Sequence, residues 1–242
     1  MQNCFKKVII VGATSGMGRG LAELYAGSGN KVGITGRRNE LLLEIQQQFP
    51  EKIEIENFDV TGSKNISSIN SLVKKLGGLD ILIYSSGIGE PSKQLNWELD
   101  KTTVDTNVNG FVEISNWAFN YFITQGHGTL VTISSIASLR GNSWAPAYSA
   151  SKAFQSNYFE GLAIKAHRMK KNISVICIEP GFVETRMAKG NKIFWALSND
   201  KACRKIITAI DKKKRKSHLS LRWWFIAKLI RFAPYPIFKR MI

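Results

Sequence analysis

Lys7-Val8-Ile9-Ile10-Val11-Gly12-Ala13-Thr14-Ser15-Gly16-Met17-Gly18 is a short β-branched run that stops at a glycine-rich turn, and residues 16–26 then follow helical spacing. The reading is strand, turn, helix, and the alternation continues along the chain. Strands are predicted over residues 31–35, 53–57, 79–84, 129–134 and 173–178, with a helix over 39–48 and another that Ser63 caps. Nearly continuous apolar strands separated by helix-length segments predict a parallel sheet covered on both faces, because right-handed crossovers put helices there. No repeat, low-complexity segment or proline-rich linker divides the body. The expected architecture is α/β: a single doubly wound domain over residues 1–220, then a basic, aromatic, helical extension over 221–242.

The 242 residues are 44% hydrophobic and 21% charged, enough to bury a core, which excludes a disordered chain or a collagen-like repeat. Three scattered cysteines, Cys4, Cys177 and Cys203, make neither a disulfide framework nor a Cys-rich zinc site, and the first residues lack the apolar run of a signal peptide. A reducing cytoplasmic location is expected. Net charge is +16, and from residue 211 onward ten Lys or Arg stand against Asp211 alone, so more than half of the excess sits in the last 32 residues. Nucleic acid or an anionic membrane is the usual partner of such charge.

Glycines at 12, 16 and 18 let the backbone turn tightly and approach a pyrophosphate, while the helix starting near Gly16 points unpaired N–H groups at its charge. After the second strand comes Gly36-Arg37-Arg38. Gly36 leaves room and no carboxylate where an adenosine ribose would be held, and Arg37 matches a 2′-phosphate through its planar fork, so NADP(H) is expected in preference to NAD(H). Ser135 ends a predicted strand thirteen positions before Tyr148, and Lys152 lies four beyond Tyr148 on the same helix face. A nearby ammonium favours phenolate, which moves the Tyr toward acid–base work near neutrality.

Together these residues resemble the classical short-chain dehydrogenase/reductase (SDR) family, whose fold is the Rossmann fold. The pattern T-G-x-x-x-G-x-G, a strand-end Ser, Y-x-A-S-K and P-G-x-x-x-T appears almost complete between about residues 5 and 219, the last as Pro180-Gly181-Phe182-Val183-Glu184-Thr185. The resemblance implies Asn107, Ser135, Tyr148 and Lys152 as catalytic residues. It implies a cofactor held by Gly12, Thr14, Ser15, Gly16, Met17, Gly18, Arg37, Arg38, Asp59, Val60, Ser86 and Gly87, by Asn107, Tyr148 and Lys152, and by Pro180, Gly181, Val183 and Thr185. It further implies that hydride passes between nicotinamide and a carbonyl carbon while Tyr148 moves the proton and Ser135 hydrogen-bonds the oxygen. Lys152 lowers the Tyr pKa and holds the ribose, and Asn107 positions a water that links Lys152 to solvent. Two positions depart from the pattern. Val11 replaces the opening Thr, and Tyr84-Ser85-Ser86-Gly87 replaces N-N-A-G, which removes an amide bridge between strands and cofactor.

His127, His167 and His218 are dispersed, and no metal is expected. Aromatic residues at 111, 117, 119, 121, 154, 158 and 159 exceed what one core needs, and in the family the corresponding helices form a subunit interface, so a homodimer or homotetramer is expected. The loop at 182–197 carries Phe182, Met187, Ile193, Phe194, Trp195 and Leu197, which suggests an apolar carbonyl or alcohol as the small-molecule substrate. Residues 221–233 are too short and too charged to span a bilayer. On a helix Lys228 and Arg231 fall about 60° apart, opposite a broad apolar side, so the segment suits either a lid over the cleft or peripheral attachment to the inner face of an anionic membrane. The competing reading is a non-catalytic dinucleotide scaffold that binds nucleic acid or other anionic partners through its tail. It gives no reason to keep Ser, Tyr and Lys at reactive spacing, and nucleic acid is the less expected partner.

Overall fold

A computed structural model describes residues 5–185 and 195–240. Seven strands form one parallel sheet: β1 (Lys7–Val11), β2 (Lys31–Gly36), β3 (Ile53–Asn57), β4 (Ile81–Tyr84), β5 (His127–Ile133), β6 (Asn172–Ile178) and β7 (Lys216–Ser217), in the order β3-β2-β1-β4-β5-β6-β7. The order reverses between β1 and β4, which is where such sheets open a crevice for a ligand. Strand alternation divides the interior in two. Val8 and Ile10 of β1 face a core closed by α1 (Gly16–Gly27), α2 (Asn39–Gln48) and α7 (Asn199–Asp211), whereas Ile9 and Val11 face one closed by α3 (Asn65–Leu76), α5 (Gly110–Gln125) and α6 (Pro146–Arg168).

The helix boundaries follow from local chemistry. α6 begins on Pro146, whose missing N–H is no loss in a first turn, and ends among Lys165, His167 and Arg168, which suit the negative end of the helix. α4 (Trp97–Val104) has Asn96 as its cap, accepting from the Leu99 amide at 3.2 Å, with Glu98 and Asp100 in its first turn. It runs through a π-helical stretch, Asp105–Asn109, into α5. Ser63 does not cap α3. That helix starts at Asn65, whose buried amide donates to Val60 O (2.8 Å) and Glu113 Oε2 (2.7 Å) and so fixes the entry by itself. The last strand is short and ends at Ser217, because Leu219, at φ +63°, already turns the chain into the next helix.

That helix, α8 (Leu221–Phe232), is capped by Ser220, which accepts from the Trp223 amide at 3.3 Å, and is followed by one turn, α9 (Tyr235–Phe238). Arg140 donates to Ala233 O at 2.8 Å at the end of α8 and lies 4.4 Å from the centre of the Phe238 ring. The extension is thus seated on the domain: Trp223, Ala227 and Phe238 are buried, while Leu221, Phe225, Leu229 and Phe232 are exposed. No helix among the described residues is long and apolar enough to cross a membrane.

Candidate active site

The turn after β1 is braced by backbone. Gly12 N and Ala13 N both donate to Thr35 O (3.1 and 2.8 Å), so the brace does not need the Thr that Val11 replaces. Gly12 has φ +86°, and a Cβ there would lie 2.6 Å from Ser86 Cα; at Gly18 it would lie 2.1 Å from Gly12 O. The turn therefore tolerates only glycine at both positions. α1 has no acidic residue in its first turn, and Ser15 caps it without a side-chain hydrogen bond, which leaves N–H groups to meet an anion.

In front of the turn lies a cleft of about 410 Å³ lined by Gly12, Thr14, Ser15, Gly16 and Met17, by Arg37 and Arg38, by Asp59 and Val60, and by Ser86, Gly87 and Thr185. A glycine floor, free helix N–H groups and two guanidinium groups at the far end fit a nicotinamide dinucleotide. The arginines differ. Arg38 donates to Thr14 Oγ1 (2.6 Å) and Ser15 Oγ (3.0 Å), whereas Arg37 is exposed, 3.6 Å from Asp59 Oδ2. Gly36 offers no room, contrary to expectation: a Cβ there would lie 2.5 Å from the Thr14 methyl. What remains is the absence of a carboxylate. Gly18 sits behind the turn, and Val183 pairs with Leu197 in an isolated bridge. Met187, Ile193 and Phe194 lie outside the described residues.

Ser135, Tyr148, Lys152 and Asn107 converge beside this cleft. Ser135 follows β5 and caps a single 3₁₀ turn, Ile136–Leu139, accepting from Ala137 N at 3.1 Å. Lys152 is buried, and its ammonium donates to Ile133 O (2.9 Å) and Gln155 Oε1 (3.0 Å). Burial lowers its pKa to about 8. The Tyr148 phenol is raised by burial, against which the neighbouring Ser135 hydroxyl acts. The expected lowering by Lys152 is thus not what governs the Tyr here. The ammonium lies 5.8 Å from the ring centre and its hydrogen bonds go to other acceptors.

Asn107 lies in the π-helical stretch, a distortion common at functional sites. Its side chain donates to Ile88 O (2.7 Å) and Ser151 Oγ (2.9 Å) and accepts from Ile88 N (2.9 Å), so it fastens the loop after β4 to α6. Its carbonyl accepts from Gln155 Nε2 at 2.9 Å. Gln155, fully buried, therefore joins Lys152 to the Asn107 carbonyl directly, along the path expected to hold water. No motif points to Gln155; its place three residues beyond Lys152 on one helix face is the signal that does. Tyr84, which stands where the pattern has an amide, makes a different link. Its buried hydroxyl donates to Thr106 O at 2.8 Å and ties β4 to the stretch that carries Asn107.

Among the described residues no cluster of His, Cys, Asp and Glu could hold a metal. The family model described as short chain dehydrogenase matches residues 6–193. An uncharacterized oxidoreductase of Mycobacterium tuberculosis is 31% identical over 237 residues, covering 93% of this chain and 92% of its own. Another from Myxococcus xanthus is 33% identical over 193 residues, covering 77% and 76%. Among solved structures, a short-chain dehydrogenase from Streptomyces avermitilis superposes with a TM-score of 0.83 at 24% identity, covering 94% of this chain and 92% of that one. ElxO with NADP bound gives 0.78 at 20%, covering 88% and 96%, and a Burkholderia phymatum SDR in complex with NAD gives 0.86 at 16%, covering 93% and 92%. The fold and the site define a nicotinamide-dependent oxidoreductase. The chain belongs to the short-chain dehydrogenase/reductase family, and the non-catalytic alternative finds no support among these relatives.

The buried ammonium makes stability depend on pH. Between about pH 8 and 10.5 the unfolded chain keeps a proton that folded Lys152 has lost, so this group's contribution to stability rises with pH through that window. Thermal melts of the ligand-free protein and of Lys152→Met should show the wild type gaining on the variant as pH rises from about 8 toward 10.

Proposed function

We propose that the protein is an NADP(H)-dependent oxidoreductase that interconverts a carbonyl and a secondary alcohol on an apolar small molecule, with Tyr148 as general acid and base. The observation that carries this reading is the meeting of Tyr148, Ser135 and buried Lys152 beside a glycine-floored cleft. When bound, the nicotinamide supplies or accepts the hydride. Tyr148 gives its proton to the carbonyl oxygen as negative charge grows there, and Ser135 donates to the same oxygen. Lys152 brings positive charge toward the phenolate and holds ribose hydroxyls. Gln155 is a positioning residue that keeps Lys152 aligned with the Asn107 carbonyl. The half-buried aromatics Trp117, Tyr121 and Tyr158, with exposed Phe154 stacked on Tyr158, support a dimer or tetramer formed through α5 and α6. Buried free thiols at Cys177 and Cys203 suit a reducing cytoplasm, and the basic extension supports attachment to the inner face of a membrane.

Tyr148→Phe is expected to retain NADPH binding and to lose about a hundredfold or more in turnover with a carbonyl found by screening. Wild-type turnover with an unchanged pH profile would remove the assignment.

Cofactor choice separates the two arginines. Arg37→Ala should weaken NADPH by about 1.5–3 kcal/mol and leave NADH nearly unchanged, because only the 2′-phosphate needs it. Arg38→Ala should weaken both, since it also braces Thr14 and Ser15. Dissociation constants from fluorescence titration read both effects.

Gln155 is tested by opposite shifts. Gln155→Leu removes an acceptor from the ammonium and should move the pH dependence of NADPH binding down. Gln155→Glu sets a carboxylate against it and should move that dependence up. Equal profiles in both variants would leave Gln155 as packing alone.

A further inference from the structure

A groove of about 880 Å³ lies apart from the cofactor cleft. It runs between α7, the segment around β7, and α8. One wall carries Lys205 and Lys214 and the other Lys228 and Arg231, with Leu221, Trp224 and Phe225 along its rim. Among the described residues no carboxylate lies within ion-pair distance of these four cations. At the base of the groove, Lys216 (2.7 Å) and His218 (3.5 Å) already accompany buried Glu179. Lys228 lies 5.6 Å from the centre of the Trp224 ring, and no described carboxylate neutralises any of the four.

α8 has two opposed faces. Trp223, Ala227 and Ile230 point toward the domain, and a Cβ on Gly181 would lie 2.0 Å from the Trp223 ring. Leu221, Phe225, Leu229 and Phe232, spaced four, four and three residues apart, fall within about 80° on the outward side. Their exposures are 77, 64, 63 and 74%, and Tyr235 and Ile237 of α9 extend the patch. Lys228 and Arg231 project between this stripe and the groove. Apolar side chains pointing outward, basic side chains at their flank and aromatic rings between them match the layers of a bilayer interface. A second copy of the chain fits less well, since an antiparallel two-fold contact here would set each basic flank against its own image.

We propose that α8 and α9 dock on an anionic lipid bilayer, with the phosphate of a lipid headgroup seated in the groove between α7 and α8. The proposal rests on the membrane attachment put forward above and adds the surface and headgroup site that would carry it. Trp223 gives the docking a consequence for the reaction. It packs on Gly181 and Phe182 (ring centres 5.5 Å apart) and donates to Trp195 O (3.4 Å), so the inner face of the docked helix touches both ends of the segment expected to line the substrate site. An apolar substrate dissolved in the bilayer would then lie about one helix diameter from Phe182 and Trp195.

The test is co-sedimentation of the full-length protein with vesicles of phosphatidylcholine alone and of phosphatidylcholine mixed with phosphatidylglycerol, across a salt series. Binding is expected only with phosphatidylglycerol and should weaken as salt rises. Lys205→Gln with Lys228→Gln and Arg231→Gln should lower partitioning by about a hundredfold, at roughly fivefold per charge. The exposed set Lys31→Gln, Lys64→Gln and Lys74→Gln, at the start of β2 and around α3, outside the groove, should change it by less than about threefold. Phe225→Ser with Leu229→Ser and Phe232→Ser should abolish it. NADPH titration of each variant confirms a folded protein and reports on the oxidoreductase reading separately. Equal loss in the two lysine sets would overturn the headgroup groove and leave membrane attachment standing. No binding of the wild type to either vesicle would overturn both. Release from vesicles by soluble glycerol phosphate at unchanged ionic strength would make a free phosphate ester the occupant, and a dimer dissolved by the serine variant would make it a second copy; either overturns the proposal.

Discussion

An ammonium buried at the carboxyl end of β5 needs acceptors, and the active site is organised around supplying them to Lys152. Leaving such a charge without partners costs several kcal/mol. Ile133 O comes from the sheet and Gln155 Oε1 from one turn further along α6, so strand and helix must keep one relative position. Ser134 reinforces it by donating to Lys152 O at 2.9 Å and meeting Ser156 Oγ at 3.0 Å. Through Gln155 the same requirement reaches Asn107, and through Asn107 it reaches Ile88 and the loop after β4. One charge thereby sets the spacing of three chain segments that are far apart in sequence.

The nucleotide side obeys a different constraint, which is steric. Gly12 and Gly18 leave no volume for side chains, so the β1 turn, the start of α1 and the loop at Ser86 close on one another and present backbone rather than side chains to the cleft. The two halves meet at Gly87, where a Cβ would lie 3.1 Å from Lys152 Nζ. A polar network and a steric contact thus fix neighbouring edges of one crevice.

Most of this was legible in the sequence because its signals are local. Strand runs, the glycine turn and Tyr148 with Lys152 each lie within a few residues, and β1, β3 and α2 have the bounds their patterns predict. What was not legible depends on contacts between distant segments. Tyr84 reads as the loss of an amide until its hydroxyl is seen at Thr106 O, and Gln155 reads as an unremarkable helix residue until both ends of its amide are placed. Gly36 looks like open space because Thr14, which fills it, comes from another loop. The pKa direction of Tyr148 failed because burial raises it, and burial is set by segments distant in sequence. Helical spacing places the ammonium near the ring but says nothing of the acceptors that hold it elsewhere.

The extension shows how one helix can belong to the domain and to its surroundings at once. A period of 3.6 residues lets Trp223, Ala227 and Ile230 share a face that the domain covers while Leu221, Phe225, Leu229 and Phe232 share one that it does not. An apolar stripe with no partner is tolerated only when the helix has another reason to stay in place. Arg140 at its carboxyl end, Ser220 at its start and the Trp223 ring on Gly181 supply that reason. Whatever covers the outer stripe therefore acts on a helix whose inner face already bears on the loop beside the cofactor cleft.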